Sequence, residues 1–339
     1  MRPGWLALGV LAVLVATVAG LAVGPVRLNP LGVLLELLDQ IPGVHLASGL
    51  SEREAAIVTE LRLPRVCLGL LVGATLAVSG GCYQGVFRNP LADPYLLGAA
   101  AGAGLGATVA IVSGAHSGSA GQVLFPAAAF AGALAAVALT YLVGTAGGGS
   151  RRGPAALILA GVAVTSFFTA AQTYLQQRHA DTLREVYSWI LGRLSTSGWG
   201  DVLLLTPYAL VTMLVVIALR RRLDVLALGD DEAATLGVNP RRLRYTLVVA
   251  ASLGTAAAVA VSGLIGFVGL IVPHTVRLLF GSSYRVVLPL SVLFGAAFLT
   301  LADLVARTAA SPAEIPIGVV TAFVGAPFFI VVLRTSKRM

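Results

Sequence analysis

An all-α membrane protein of ten spans is the fold class predicted from the sequence, and three observations lead there. Hydrophobic residues make up 57% of the 339, charged ones 11%, and the mean hydropathy is +0.91; a soluble fold of this size needs far more polar surface. The uncharged runs reach the length of about 20 residues that a helix needs to cross a bilayer. The charges between the runs are unequally divided in the way membrane topology demands. One transmembrane domain over residues 1–339 is expected.

Taken in order, the runs are Pro3–Val26, Val66–Phe87, Tyr95–Ser150, Gly153–Gln177, Val202–Leu219, Tyr245–Val276, Val286–Ala302 and Ile315–Leu333. Arg2 followed by Pro3–Val26 has the layout of a signal peptide. The run is long for an apolar signal core and long enough to span, so a retained first helix is expected. Tyr95–Ser150 has room for two helices, broken near Gly114–Gly121. Tyr245–Val276 holds one full helix and the start of another, if the second continues through Arg277 to Phe280. Nine or ten spans follow from hydropathy alone. Arg2 at one terminus and Arg334, Lys337 and Arg338 at the other both look cytoplasmic, which requires an even number. With ten spans and both termini inside, 15 of the 23 basic and 5 of the 15 acidic residues fall inside, leaving 8 and 10 outside. This is the positive-inside pattern. Abundant Gly and Ala let the helices approach closely, which matters because lipid offers no hydrophobic drive for their association.

The inner segment Arg220–Arg244 holds ten of the 38 charged side chains between two apolar runs. Asp230 or Asp231 can cap a short helix with acids in its first turn, Gly237 can close it in the left-handed conformation, and Pro240 prevents its resumption. Two readings are open: a handle for a partner protein, or a solvated loop. Arg88-Asn89-Pro90-Leu91-Ala92-Asp93-Pro94, also inside, is a tight polar turn whose prolines forbid helix continuation; it is either a constriction at the packed bundle or a plain connection. On the outer side, Arg62-Leu63-Pro64-Arg65 opens the second span and Arg307 closes the ninth. These arginines are snorkelling anchors, or they meet carboxylates on an external partner. Asp303 and Arg307 have the spacing of an i,i+4 pair.

Several chemistries lack their residues. Lys337 is the single lysine and no Gly-Lys-Ser/Thr occurs, so the chain forms no P-loop and any ATP chemistry belongs to another subunit. Cys67 and Cys82 read as small buried hydrophobes. His45, His116 and His179 lack metal-ligand spacing, and Pro273-His274 with Arg277 reads as a kink with local polar satisfaction. No catalytic cluster appears, so a membrane-embedded enzyme is disfavoured. An ion-coupled secondary transporter would want ionisable groups at mid-membrane, and the long runs are nearly devoid of them. No catalytic, metal or nucleic-acid site is expected.

With these pieces in place, the sequence resembles the FecCD/BtuC-like permease family of bacterial ABC importers for iron chelates, haem and cobalamin. The resemblance covers about Leu61 to Leu333. It is carried by RLPR (Arg62–Arg65), GATLAVSGGCYQGVFRNPLADPYLLG (Gly73–Gly98), LILAGVAVTSFF (Leu157–Phe168), WILGRLSTSGW (Trp189–Trp199), LGDDEAATLGVNPRRLR (Leu228–Arg244), GLIGFVGLIVPHTVRLLFG (Gly263–Gly281), LADLVAR (Leu301–Arg307) and EIPIGVVTAFVGAPFFI (Glu314–Ile330). Blocks of this length in this order are far more specific than any short motif. The resemblance implies the type II importer permease fold and a homodimer, or a pair of related subunits, in the bacterial cell membrane. It also implies two ATPase subunits on the inner face, which bind the ATP and Mg, and a soluble or lipid-anchored binding protein outside.

Carried over by position, the resemblance makes Asp230, Asp231, Glu232, Ala233, Ala234, Leu236, Gly237 and Asn239 the helix that couples to the ATPase. Asn89 and Leu91 become one cytoplasmic gate, and Gly149 and Ser150 in the Gly147–Gly153 loop become a second. Arg62, Arg65 and Arg307 become receptors for acidic residues of the binding protein. The family commonly has a small residue or Ser where this chain has Arg193, a position bearing on substrate charge or on docking. Ferric siderophore is the first expected substrate, with haem and cobalamin next. The Arg-rich, Lys-poor, Ala/Gly-rich composition is similar to that of high-GC bacteria, where such a binding protein is a lipoprotein.

Overall fold

Ten apolar helices and five short ones make up the computed structural model, which describes residues 2–24, 26, 28–40, 46–115, 118–146, 154–195 and 198–336. In chain order they are α1 (Pro3–Ala22), α2 (Pro30–Asp39), α3 (Glu52–Ala56), α4 (Leu63–Val86), α5 (Ala99–Val112), α6 (Gly118–Thr145), α7 (Pro154–Arg178), α8 (Leu183–Ile190), α9 (Trp199–Ala218), α10 (Arg220–Leu226), α11 (Asp230–Thr235), α12 (Pro240–Ser262), α13 (Val268–Phe280), α14 (Tyr284–Thr308) and α15 (Ile317–Ser336). Among the described residues there is no strand. Seven helices are long and apolar enough to cross a membrane, and three shorter apolar ones lie at Ala99–Val112, Val268–Phe280 and Ile317–Val332. These ten helices fall within or overlap the eight predicted runs, two of them in Tyr95–Ser150 and two in and around Tyr245–Val276.

The boundaries differ where charge is a poor guide to helicity. The predicted second span begins at Val66, but the helix runs unbroken over Glu52–Val86, 35 residues, with a π-helical stretch at Ile57–Arg62. Arg62 and Arg65 are therefore inside the helix rather than ahead of it. Ser51 starts it with a reciprocal cap: its hydroxyl accepts from Glu54 N and Glu54 Oε2 accepts from Ser51 N at 2.9 Å. The third predicted span begins at Tyr95, whereas α5 begins only after Gly98, whose φ is +84. The intervening non-helical backbone is sheltered inside the protein, with Ala92 and Leu97 fully buried. Tyr95 ties it to a second non-helical stretch between α12 and α13. Its hydroxyl donates to Ile265 O at 2.9 Å and accepts from Ile265 N at 3.2 Å.

α4 is the central element, and α14 lies along it, with α12, α13 and α9 also against it. Glycine makes the approach possible. A Cβ on Gly73 would collide with the carbonyl of Gly295 on α14, and one on Gly80 with the backbone of Gly269 on α13. α5 and α6 meet in the same way at Gly102 and Gly132. Where lipid matches leucine in polarity, close backbone contact supplies the dispersion energy that holds helices together. α1 packs on α14 at the margin, with Trp5 edge-on to Phe280 at 5.6 Å. The beginning of α1 thus lies where α13 ends. α15 runs towards the same end, where Phe328 meets the ring of His274 at 5.9 Å.

Candidate functional sites: two charged ends of one bundle

Two clusters of charge sit at opposite ends of α4. At its N-terminal end, Arg62 is buried, 5% exposed, and its guanidinium donates to Leu21 O at 2.6 Å, Ala22 O at 3.1 Å and Val26 O. Arg307, 4% exposed, donates to Gly20 O. These carbonyls belong to the last turn of α1 and just beyond, where a helix has no internal donors left to offer them. Arg62 and Arg307 therefore cap α1 from beneath, and neither is presented at the surface in this conformation. Asp303, 2% exposed, stands between Arg307, 3.4 Å away as the expected i,i+4 ion pair, and Arg65, which donates to it at 2.8–3.1 Å. Arg65 also reaches Glu314 through two bonds of 2.8 and 3.0 Å. This hydrogen bonding holds the Glu314 carboxyl below the usual carboxylate range. A shallow polar pocket beside the cluster is lined by Arg65, Asp303, Glu314 and the exposed Arg193.

At the opposite end, α10 and α11 form the expected polar island. The predicted cap is corrected: Gly229 precedes the helix with φ +148, no side chain caps it, and Asp230 is its first residue. The Asp230 carboxylate has been drawn elsewhere, to Arg88 at the end of α4 and to Arg244 of α12 at 3.0 and 3.3 Å. The far end follows expectation. Gly237 is left-handed at φ +77, with Val238 N bonding to Ala233 O and Gly237 N to Ala234 O. Pro240 does not stop a helix but starts α12, and Asn239 caps that helix by accepting from Arg242 N at 3.0 Å. Asn239 thus acts on the neighbouring helix.

Of the predicted coupling residues, Ala233 is fully buried, which leaves Asp231, Glu232, Ala234 and Leu236 on the outer surface of α11. Leu236 is 61% exposed and Leu228 64%. Asp224 of α10 ties the segment to α14, accepting from Tyr284 N at 2.6 Å and Ser283 Oγ at 2.8 Å. Asn89 and Leu91 lie one and three residues beyond Arg88, joined by a bond of 2.9 Å from Leu91 N to Asn89 Oδ1. Gly149 and Ser150 lie outside the described residues, as do His45 and His116. Arg88, Arg244, Asp224, Asp303 and Glu314 are the members of these clusters that sequence reasoning gave no site role. Arg88 and Asp230 are 142 residues apart, too far for any local pattern to pair them.

A third feature is an apolar cavity of about 590 Å³, with Leu191, Leu264, Phe267, Gly318, Phe323 and Pro327 among its walls. Among the described residues no group of three or more metal-ligating side chains occurs.

A glycine-packed helical bundle with a charged platform at one end and a polar, partly apolar-tipped helix at the other defines a multi-pass membrane protein of the transport-permease class. Comparison with known proteins makes this specific. The chain belongs to the FecCD transport family, whose model matches residues 11–335. It is 44% identical over 289 residues to the cobalamin import system permease protein BtuC of Halobacterium salinarum, covering 85% of this chain and 76% of that one. It is 38% identical over 311 residues to the Fe(3+)-citrate import system permease protein YfmD of Bacillus subtilis, covering 90% and 89%. It is 39% identical over 288 residues to the hemin transport system permease protein HmuU of Yersinia pestis, covering 82% and 83%. Its fold matches a solved structure of a metal-chelate type ABC transporter in an inward-facing conformation, with a TM-score of 0.85 and 32% identity over 98% of this chain and all of the other.

Proposed function

We propose that the chain is the membrane-spanning permease of an ATP-driven importer for a metal chelate, crossing the bacterial cell membrane ten times with both termini in the cytoplasm. ATP hydrolysis belongs to a separate ATPase subunit, present in two copies beneath a pair of permeases. A binding protein or lipoprotein delivers the chelate outside. The observation that carries this reading is the α10–α11 segment, a short polar helix closed by Gly237 with Leu236 bared at its tip, in a chain whose sequence has no P-loop. Asp231, Glu232, Ala234 and Leu236 are the surface offered to the ATPase, with Ala233 and Gly237 setting its shape. Asn89 and Leu91 form a cytoplasmic gate, with Gly149 and Ser150 assigned to a second.

At the other end, docking of the binding protein is assigned to Arg65 and its rim, beside Arg62 and Arg307, which lie buried under the end of α1. Arg65 is itself paired with Asp303 and Glu314, so a carboxylate of the binding protein would compete with those two for it. The relatives named for cobalamin, iron citrate and hemin lie at similar identities and rank no substrate; ferric siderophore is the first class to test, with haem and cobalamin beside it.

The test is import by the complex in proteoliposomes supplied with its ATPase and binding protein. Burying a leucine is worth about 1.5–3 kcal/mol, so Leu236→Asp should weaken ATPase attachment by about 10- to 100-fold, since 1.4 kcal/mol is tenfold. Import should fall with it, while capture of the loaded binding protein stays intact. Import by Leu236→Asp at the wild-type rate would remove the coupling assignment.

A further inference from the structure

The turn carrying Asn89 and Leu91 is tied to α11 by one contact, and its form is unusual. α4 ends in the hydrogen-bond pattern that normally carries glycine: Arg88 N bonds to Gly85 O at 3.3 Å and Asn89 N to Gln84 O at 3.1 Å. The residue in the left-handed position is Arg88, with φ +49. A side chain there costs about 1 kcal/mol relative to glycine, so its presence calls for a compensating role. The Arg88 guanidinium meets the carboxylate of Asp230, the first residue of α11.

Asp230 has a second partner that makes the first dispensable to the fold. Arg244, 15% exposed, holds the same carboxylate from α12. The Arg88–Asp230 pair is open to solvent, its side chains 35% and 45% exposed. α10 is held separately, through Asp224 at the start of α14. The segment thus has one part-buried anchor at Asp224, one local brace at Arg244, and one solvent-exposed contact reaching the Asn89–Leu91 turn.

We propose that the Arg88–Asp230 ion pair is a latch, holding the Asn89–Leu91 turn to the first residue of α11 in this conformation and releasing it when α11 is displaced. Arg88 is in this sense a positioning residue, acting on the gate through the turn it begins. The inference rests on the reading of α11 as the ATPase contact. An exposed ion pair biases an equilibrium about two- to five-fold, enough to weight two states and too little to lock either.

The test begins without the ATPase. Spin labels are placed on cysteines introduced at Leu91 and Leu228, and their distance distribution is measured in the full-length permease in lipid nanodiscs. Arg88→Gly, which removes the side chain and relieves the backbone, should enlarge the longer-distance population two- to five-fold. Asp230→Asn should do the same, Arg88→Lys should restore the original distribution, and Arg88→Gly with Asp230→Asn should go no further than Asp230→Asn alone. An unchanged distribution in Arg88→Gly, or additive effects of the two substitutions, would overturn the latch. The second measurement is import per ATP hydrolysed by the reconstituted complex, which should drop two- to five-fold in Arg88→Gly. If Leu236→Asp imports normally, the coupling reading fails whatever the labels report. If Leu236→Asp is uncoupled and the labels do not respond to Arg88→Gly, the latch alone fails.

Discussion

Replacing Asp303 with asparagine should be the most costly single-charge change at the N-terminal end of α4, and the structure sets its size. The carboxylate is 3% exposed as a side chain and lies between Arg65 and the 4% exposed Arg307. Asparagine keeps the shape and removes the charge, leaving two guanidiniums without their shared anion. Removing one partner of a buried pair costs about 3–5 kcal/mol. The loss should lie near the lower figure, because Arg65 keeps two bonds to Glu314 and Arg307 keeps the Gly20 carbonyl. Glu314→Gln is the matched control. Its side chain is 44% exposed, so its contribution is screened and should stay below about 1 kcal/mol. Unfolding in detergent can be followed with a thiol-reactive fluorogenic dye in a Cys67→Ala background, since Cys67 is only half-buried whereas Cys82 is fully buried and reacts only on opening. Asp303→Asn should unfold several degrees below wild type and Glu314→Gln within about 2 °C of it. Equal losses from the two variants, or an Asp303→Asn protein as stable as wild type, would refute the claim that burial decides the worth of these pairs.

Two further outcomes follow from packing and from burial. Gly80→Ala should destabilise by about 1–3 kcal/mol or more, because the added carbon meets the backbone of Gly269, which cannot rotate away. Gly200→Ala, whose new methyl meets nothing within 4 Å, should leave the melting temperature unchanged or slightly raised. Burial in the α4–α5 turn pushes the Asp93 carboxyl up to about 6. Raised above its unfolded value near 3.9, the group costs nothing below that value and destabilises progressively as pH rises towards 6. Asp93→Asn, which preserves the bond from Tyr95 N, should therefore stabilise by about 3 kcal/mol at pH 7, with the gain vanishing near pH 4. A gain that grows on acidification would reverse the assigned sign.

The ten apolar helices and the polar segment at Arg220–Arg244 were legible in the chain, because hydropathy and helix-ending residues act over a few neighbouring positions. Gly237 closes α11 as its residue type foretells, and the Asp303–Arg307 pair follows from spacing along one helix. Pro240 misled for a local reason: proline stops a helix from its interior and opens one from its first turn, and Asn239 just before it is the cap that decides.

The destinations of the charges needed the tertiary structure. Nothing near Arg62 in sequence announces that the end of α1 lacks donors, and nothing near Asp230 announces that Arg88 ends its helix left-handed beside it. Asp230 reads as a helix cap until a guanidinium from another helix takes its carboxylate. A charge pairs with the opposite charges that packing brings within a few ångströms, and which partners are near is settled by how glycine-lined helices pack, across separations no sequence pattern spans.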